Sequence, residues 1–144
     1  MLTAGQELRA STCNRFQPVR YSATASADLA AGLTDTDITG ASVTLTTQTN
    51  GARYTVTATL DVDLTGATTT IVRGKLVVDG TAVRFGEALY QAEVGTDRMT
   101  VYQQWNGVLP TKGQHTFKLR GTTPANATIR ATHTNIFVKI REVI

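Results

Sequence analysis

Cysteine, charge and long apolar runs are all scarce in this chain. Its one cysteine, Cys13, excludes an intrachain disulfide framework and any multi-cysteine zinc or iron–sulfur site. No apolar run exceeds a few residues, and no basic patch precedes one near the N-terminus, so neither a membrane span nor a signal peptide is expected. No GxSxG elbow, HExxH helix or phosphate-binding loop is present. Charged residues make up only 17%, with four lysines and four glutamates, which leaves little of the chemistry from which exposed helices are built.

What the chain does hold is threonine, 27 residues among 144. Threonine is β-branched and stiff at χ1, and it suits the solvated face of a pleated sheet. At 15.4 kDa, with 41% hydrophobic residues and 12 glycines, the chain has the size and composition of one globular domain. The net charge is +3, and the arginines are scattered from Arg9 to Arg141, which argues against a general attraction to nucleic acid.

Residues 1–20 differ from the rest. Thr3 and Gln6 have the spacing of a capping box, and Leu2, Leu8 and Phe16 supply a small apolar face. The segment is too short and glycine-interrupted to order alone, so it is expected to be a docking arm or a frayed terminus.

From Tyr21 onward the hydrophobic period is two. Between Arg53 and Leu64, Tyr54, Val56, Ala58, Leu60, Val62 and Leu64 alternate with Arg53, three threonines, Asp61 and Asp63. Val43, Leu45 and Thr47 share one side of the preceding run. Asn50-Gly51 then predicts a type I′ hairpin with Leu45 facing Val56 and Val43 facing Ala58. Asp79-Gly80 predicts a second hairpin, pairing Leu76 with Val83 and Gly74 with Phe85, whose ring would cover the glycine. That register sets Lys75 against Arg84, a like-charge pair that Glu87 or a neighbouring subunit would have to offset. Further strands are expected at Arg98–Trp105, with Met99 and Val101 on one face, and at His115–Gly121, with Phe117 and Leu119 inward. Two more are expected at Ala127–Thr134, with Ile129, Ala131 and His133 on one face, and at Ile136–Ile144. Eight to ten short strands predict an all-β antiparallel sandwich of jelly-roll type over residues 21–144.

Groups for catalysis are few. His115 and His133 are the two histidines, neither has a nucleophile in sequence, and Cys13 lies in the arm, so no enzyme activity and no cofactor are expected. The stretch DTDITG places Asp35, Asp37 and Thr39 at alternating positions before Gly40, as in the first half of a calcium loop. Its twelfth position is Thr46, where a bidentate glutamate is needed. Asp61 and Asp63 share a face and could join Asp79 around a cation if a turn gathered them; for both clusters the plainer reading is strand ends and turn caps. Tyr102, Gln103, Gln104, Trp105 and Asn106 form the one cluster of aromatic and amide groups, a candidate ligand or receptor site. The alternative is that Trp105 fills the sandwich end while Tyr102 packs a neighbouring subunit.

The segments TDTDITGASVTL, NGARYTVTATLDV, VVDGTAVRFGEA, YQQWNGVLPTKGQHTFKLRG and ATIRATHTNIFVKI, taken in that order, resemble the small β-sandwich modules of bacteriophage virion proteins. The likeness is to minor tail and fibre-associated proteins of phages infecting actinobacteria, whose layout is similar to C1q/tumour-necrosis-factor jelly rolls, and it covers about residues 20–144. The resemblance implies that Tyr54 is core and that the last strand, beginning near Asn135, lies centrally in a sheet. It also implies a symmetric, non-enzymatic building block, commonly a homotrimer, whose opening LTAGQELRAS fastens it to other virion proteins. The expected location is the phage particle, tail before capsid. A capsid decoration protein is the first alternative, and a lectin-like module binding a host cell-surface glycan the second.

Overall fold

The computed structural model describes residues 17–66, 69–84, 86–92 and 97–143. Nine strands run through them: β1 (Val19–Thr24), β2 (Thr36–Thr47), β3 (Ala52–Leu64), β4 (Thr70–Val78), β5 (Thr81–Ala82), β6 (Ala88–Ala92), β7 (Arg98–Leu109), β8 (Gly113–Thr122) and β9 (Ala127–Arg141). The first sheet has the order β1-β9-β3-β7. In the second the order is β2-β8-β4, with β5 and β6 following one another along the far edge of β4.

The pairing is nested. β1 pairs β9, β2 pairs β8, β3 pairs β7 and β4 pairs β6, every pair antiparallel. Apart from the β4–β5–β6 stretch, consecutive strands fall in opposite sheets, so the chain is one long hairpin rolled into an antiparallel β-sandwich of jelly-roll type.

The alternation of β3 explains its position between β9 and β7. Tyr54, Val56, Ala58, Leu60, Val62 and Leu64 are all buried toward the second sheet. The four leucines and valines among them contribute roughly 1.5–3 kcal/mol each by burial. Opposite them, one inner row of the second sheet consists of Gly121, Gly74 and Ala88 side by side. This trough admits large side chains from across the sandwich. A methyl group on Gly121 would stand 2.6 Å from Leu29 Cδ2 and 2.7 Å from Ile129 Cδ1, and one on Gly74 would overlap Leu60 Cδ1.

Two turns with the same sequence signal fold differently. At Asp79-Gly80 both residues have positive φ, 50° and 81°, and the expected register follows, with Val78 opposite Thr81 and Val83 N–H donating to Leu76 O at 2.9 Å. Phe85, the expected cover for Gly74, lies outside the described residues. Lys75 is not opposed by Arg84, because β5 ends at Ala82; its neighbour is Arg120 on β8, and Asp35 offsets the charge at 2.7 Å. Asn50-Gly51, by contrast, does not close a hairpin. β2 pairs β8 and β3 pairs β9 and β7, so Val43 stands beside Phe117 and Leu45 beside His115. Only Gly51 has positive φ, 77°, while the Asn50 side-chain oxygen accepts from Lys112 N–H at 2.8 Å. The turn carries the chain from one sheet to the other.

The two strands expected after Ala127 are one, β9, interrupted by a bulge. Its register on β3 passes from Asn135 opposite Thr59 to Arg130 opposite Asp61. Thr134 Oγ1 closes the bulge, donating to Arg130 O at 2.6 Å and accepting from Asp61 N–H at 3.0 Å. The bulge shifts the alternation, so Thr134 is buried and His133, expected on the apolar face with Ile129, is exposed. Tyr54 is core and β9 lies centrally in its sheet. β1 begins at Val19. Cys13, the capping box, Leu2, Leu8 and Phe16 lie outside the described residues.

Candidate functional site

Strand parity and register fix what the outer face of the first sheet displays. Arg20, Lys139, Thr55 and Asn106 form one row across β1, β9, β3 and β7. The next row is Ser22, Phe137, Thr57 and Gln104, and the one after it Thr24, Asn135, Thr59 and Tyr102. On the other side of the first row, Arg141 and Arg53 stand opposite each other, with Val108 beyond. The face therefore has a cationic end and, next to it, an uncharged band in which Tyr102 is 61% and Phe137 49% exposed. A groove of about 370 Å³ runs between Arg20, Ser22, Thr55, Thr57, Phe137 and Lys139. A second, of about 230 Å³, lies over Pro18, Arg53, Thr55, Lys139 and Arg141.

Beyond the band the same face is charged but paired. Asp61 is buried, although its place in the alternation faces water, because Arg98 covers it with two hydrogen bonds at 3.0 and 2.8 Å. Arg130 spans Asp63 at 2.8 Å and Asp28 at 2.9 Å. The Ala131 N–H and the Arg130 guanidinium hold the Asp28 carboxyl below the usual range, and the carboxylates in turn raise Arg98 and Arg130.

The candidate ligand cluster is divided by the strand. Tyr102, Gln104 and Asn106 share the outer face of β7, with Tyr102 Oη 3.4 Å from Gln104 Oε1 and Asn106 Oδ1 accepting from Thr55. Trp105 has the opposite parity and is 3% exposed inside the sandwich, so it does not join the others around a surface ligand. Among the described residues its Nε1 finds no hydrogen-bond partner, and it lies by Gly86, where a methyl group would stand 3.3 Å from it.

The half calcium loop is occupied by the chain's own cations. Asp35 pairs with Lys75 and Asp37 with Lys118, both at 2.7 Å, and Arg120 reaches both carboxylates. Hydrogen bonds from Lys118 and Arg120 lower the Asp37 carboxyl. Gly40, with φ 84°, packs its Cα against Ser26 within an irregular stretch of β2. Asp79 belongs to a turn of the second sheet, apart from Asp61 and Asp63 on the first.

His115 is buried between two acceptors. Nδ1 lies 2.7 Å from Asp79 Oδ2 and Nε2 2.9 Å from Thr111 O. A ring facing two acceptors satisfies both only as imidazolium. Burial alone would lower its pKa, but the Asp79 hydrogen bond, the Thr111 carbonyl and the nearby negative charge outweigh burial and hold it above the ordinary histidine value.

Sequence reasoning missed the cationic end. Alternation alone puts Lys139 and Arg141 on one face, but bringing Arg53 and Arg20 beside them takes the register between strands far apart in sequence. No family model matches the chain, and no curated protein matches it. Among solved structures, a β-glucosidase from Paenibacillus barengoltzii is similar over 85% of this chain at 17% identity and a TM-score of 0.43; the match spans 10% of that protein, and likeness at this level bears on neither activity nor ligand.

Proposed function

We propose that the chain is a non-catalytic, self-associating building block of a bacteriophage virion, associated with the tail or tail tip and attached through residues 1–20. The observation that carries this reading is the uncharged band of the first sheet. Built mostly of threonine and amide side chains, it exposes Tyr102 and Phe137 between two charged zones. Aromatic residues are enriched, and charges depleted, at the centres of protein interfaces. A contact of ~800 Å² per partner suffices for stable assembly. The nested strand order, the core Tyr54 and the central last strand are in keeping with the C1q/tumour-necrosis-factor-like layout.

Light scattering is expected to return a small multiple, three being favoured, of the 15.4 kDa chain mass. Tyr102→Arg, on an exposed position that costs the fold little, should reduce it to one copy. A wild-type monomer at micromolar concentration, or a variant with unchanged mass, would remove the band from consideration. Deleting residues 1–18 is expected to leave the oligomer intact but abolish its incorporation into particles, and full incorporation of the truncated chain would refute the attachment role. Density on capsid lattice points in imaged particles would transfer the protein from tail to head.

A further inference from the structure

The charges of the described residues are distributed unevenly. Arg73, Lys75, Arg98, Lys118, Arg120 and Arg130 each lie within 4 Å of a carboxylate, as does the buried His115. Arg20, Arg53, Lys139 and Arg141, which meet at the cationic end of the first sheet, have no such partner. Register makes this costly. Arg53 is directly opposite Arg141 on β9, and Arg20 is directly opposite Lys139. Like charges placed face to face across a strand pair repel. Lys139 and Arg141, two residues apart, add a third repulsion along the strand at roughly 7 Å.

The second sheet contains the same arrangement in neutralised form. There Lys75 stands opposite Arg120, and the Asp35 carboxylate lies between them, 2.7 Å from Lys75 Nζ and 3.7 Å from Arg120 Nη1. In the first sheet no described carboxylate lies within 4 Å of the paired cations, and a groove of about 230 Å³ lies over Arg53, Thr55, Lys139 and Arg141. Among the described residues no acid is spare to fill it from a second copy. Asp28, Asp35, Asp37, Asp61, Asp63, Asp79, Glu87 and Glu142 are all engaged internally, and so is Asp97.

We infer that this groove is a binding site for a tetrahedral oxyanion, phosphate or sulfate, taken from outside the chain. Guanidinium groups match such an anion with paired N–H donors, and three of the four cations are arginine. The inference is independent of the proposed self-association, whose band lies in the neighbouring rows.

The test uses the intact chain in sodium sulfate or phosphate against sodium chloride at equal ionic strength. Titration calorimetry should detect oxyanion binding, and the melting temperature should rise with oxyanion concentration as a bound ligand requires. Arg53→Gln/Arg141→Gln is expected to weaken binding at least tenfold and to flatten the melting response. In chloride the same variant should melt no lower than wild type, since it removes a repulsion, and this keeps binding loss separate from misfolding. Equal responses in wild type and variant would mean that the oxyanions act through general solvent exclusion and would overturn the site, as would no measurable heat. Dextran sulfate against uncharged dextran distinguishes the source: retention per sulfate far above that of the free ion assigns a polymer-borne group, and equal retention a free ion. Light scattering on the variant should give the wild-type mass, so failure of the anion site and failure of self-association are read apart.

Discussion

Gly107→Ala is expected to lower the unfolding free energy by about 3 kcal/mol, the upper part of the range for overpacking a core. Gly107 lies on the inner face of β7 as the direct cross-strand partner of Tyr54. The Tyr54 ring lies over the glycine, where a methyl group would fall among Cζ, Oη and Cε1 of the ring. The ring has nowhere to go. It is buried, burial raises the pKa of its hydroxyl, and it meets Phe117 edge-on with centroids 5.2 Å apart at 74°. Urea unfolding of Gly107→Ala, Tyr54→Val and the double variant forms a cycle in which the pair should be less destabilised than the sum of the singles. Strict additivity would mean that the ring and the glycine are energetically independent.

Asp79→Asn is expected to cost about 2 kcal/mol at pH 6, as the loss of a hydrogen bond to a charged, buried group, reduced by the partial exposure of the aspartate. Asparagine tolerates the positive φ of position 79 as well as aspartate does, so the turn survives, while the charge and one of the two accepting oxygens that serve His115 Nδ1 and Thr116 N–H are lost. The pH dependence has a definite sign. His115 has a raised pKa in the folded state, so its contribution is complete below the ordinary histidine value near 6.5 and is lost as pH rises through the folded value. Wild-type stability should therefore decline as pH rises from the ordinary histidine value to the folded one and level off above it. The part of the decline that Asp79→Asn abolishes belongs to the pair. Parallel curves for the two proteins would show that His115 does not titrate against Asp79.

The sandwich was legible in the sequence because one face of β3, β8 and the second half of β9 is apolar at every other residue, and burial follows that alternation except at Asp61, which Arg98 covers. The error at Asn50-Gly51 shows what such a pattern omits. A turn signal specifies local φ, whereas whether the flanking strands pair or face each other across a core depends on what else can pair with them, here β8 and β9. The bulge at Thr134 was invisible for a related reason: one hydroxyl bridging Arg130 O and Asp61 N–H depends on the facing strand. The candidate ligand cluster failed on parity, since adjacent residues of a strand point to opposite faces, and Trp105 could have been separated from Tyr102, Gln104 and Asn106 by that rule alone. The cationic end required register between residues 20, 53, 139 and 141, which no local window contains.

The nested pairing also sets a schedule. β9 is the last of the nine described strands to be made during synthesis, yet among the described residues it is the only strand paired with β1 and one of the two neighbours of β3. Until residues 127–141 leave the ribosome, β1 has no sheet to join and the first layer is split at its centre. Contacts this distant along the chain close slowly. The nascent chain must wait with the apolar side of β3 uncovered on one flank, an interval in which a chaperone or a sister chain could engage it.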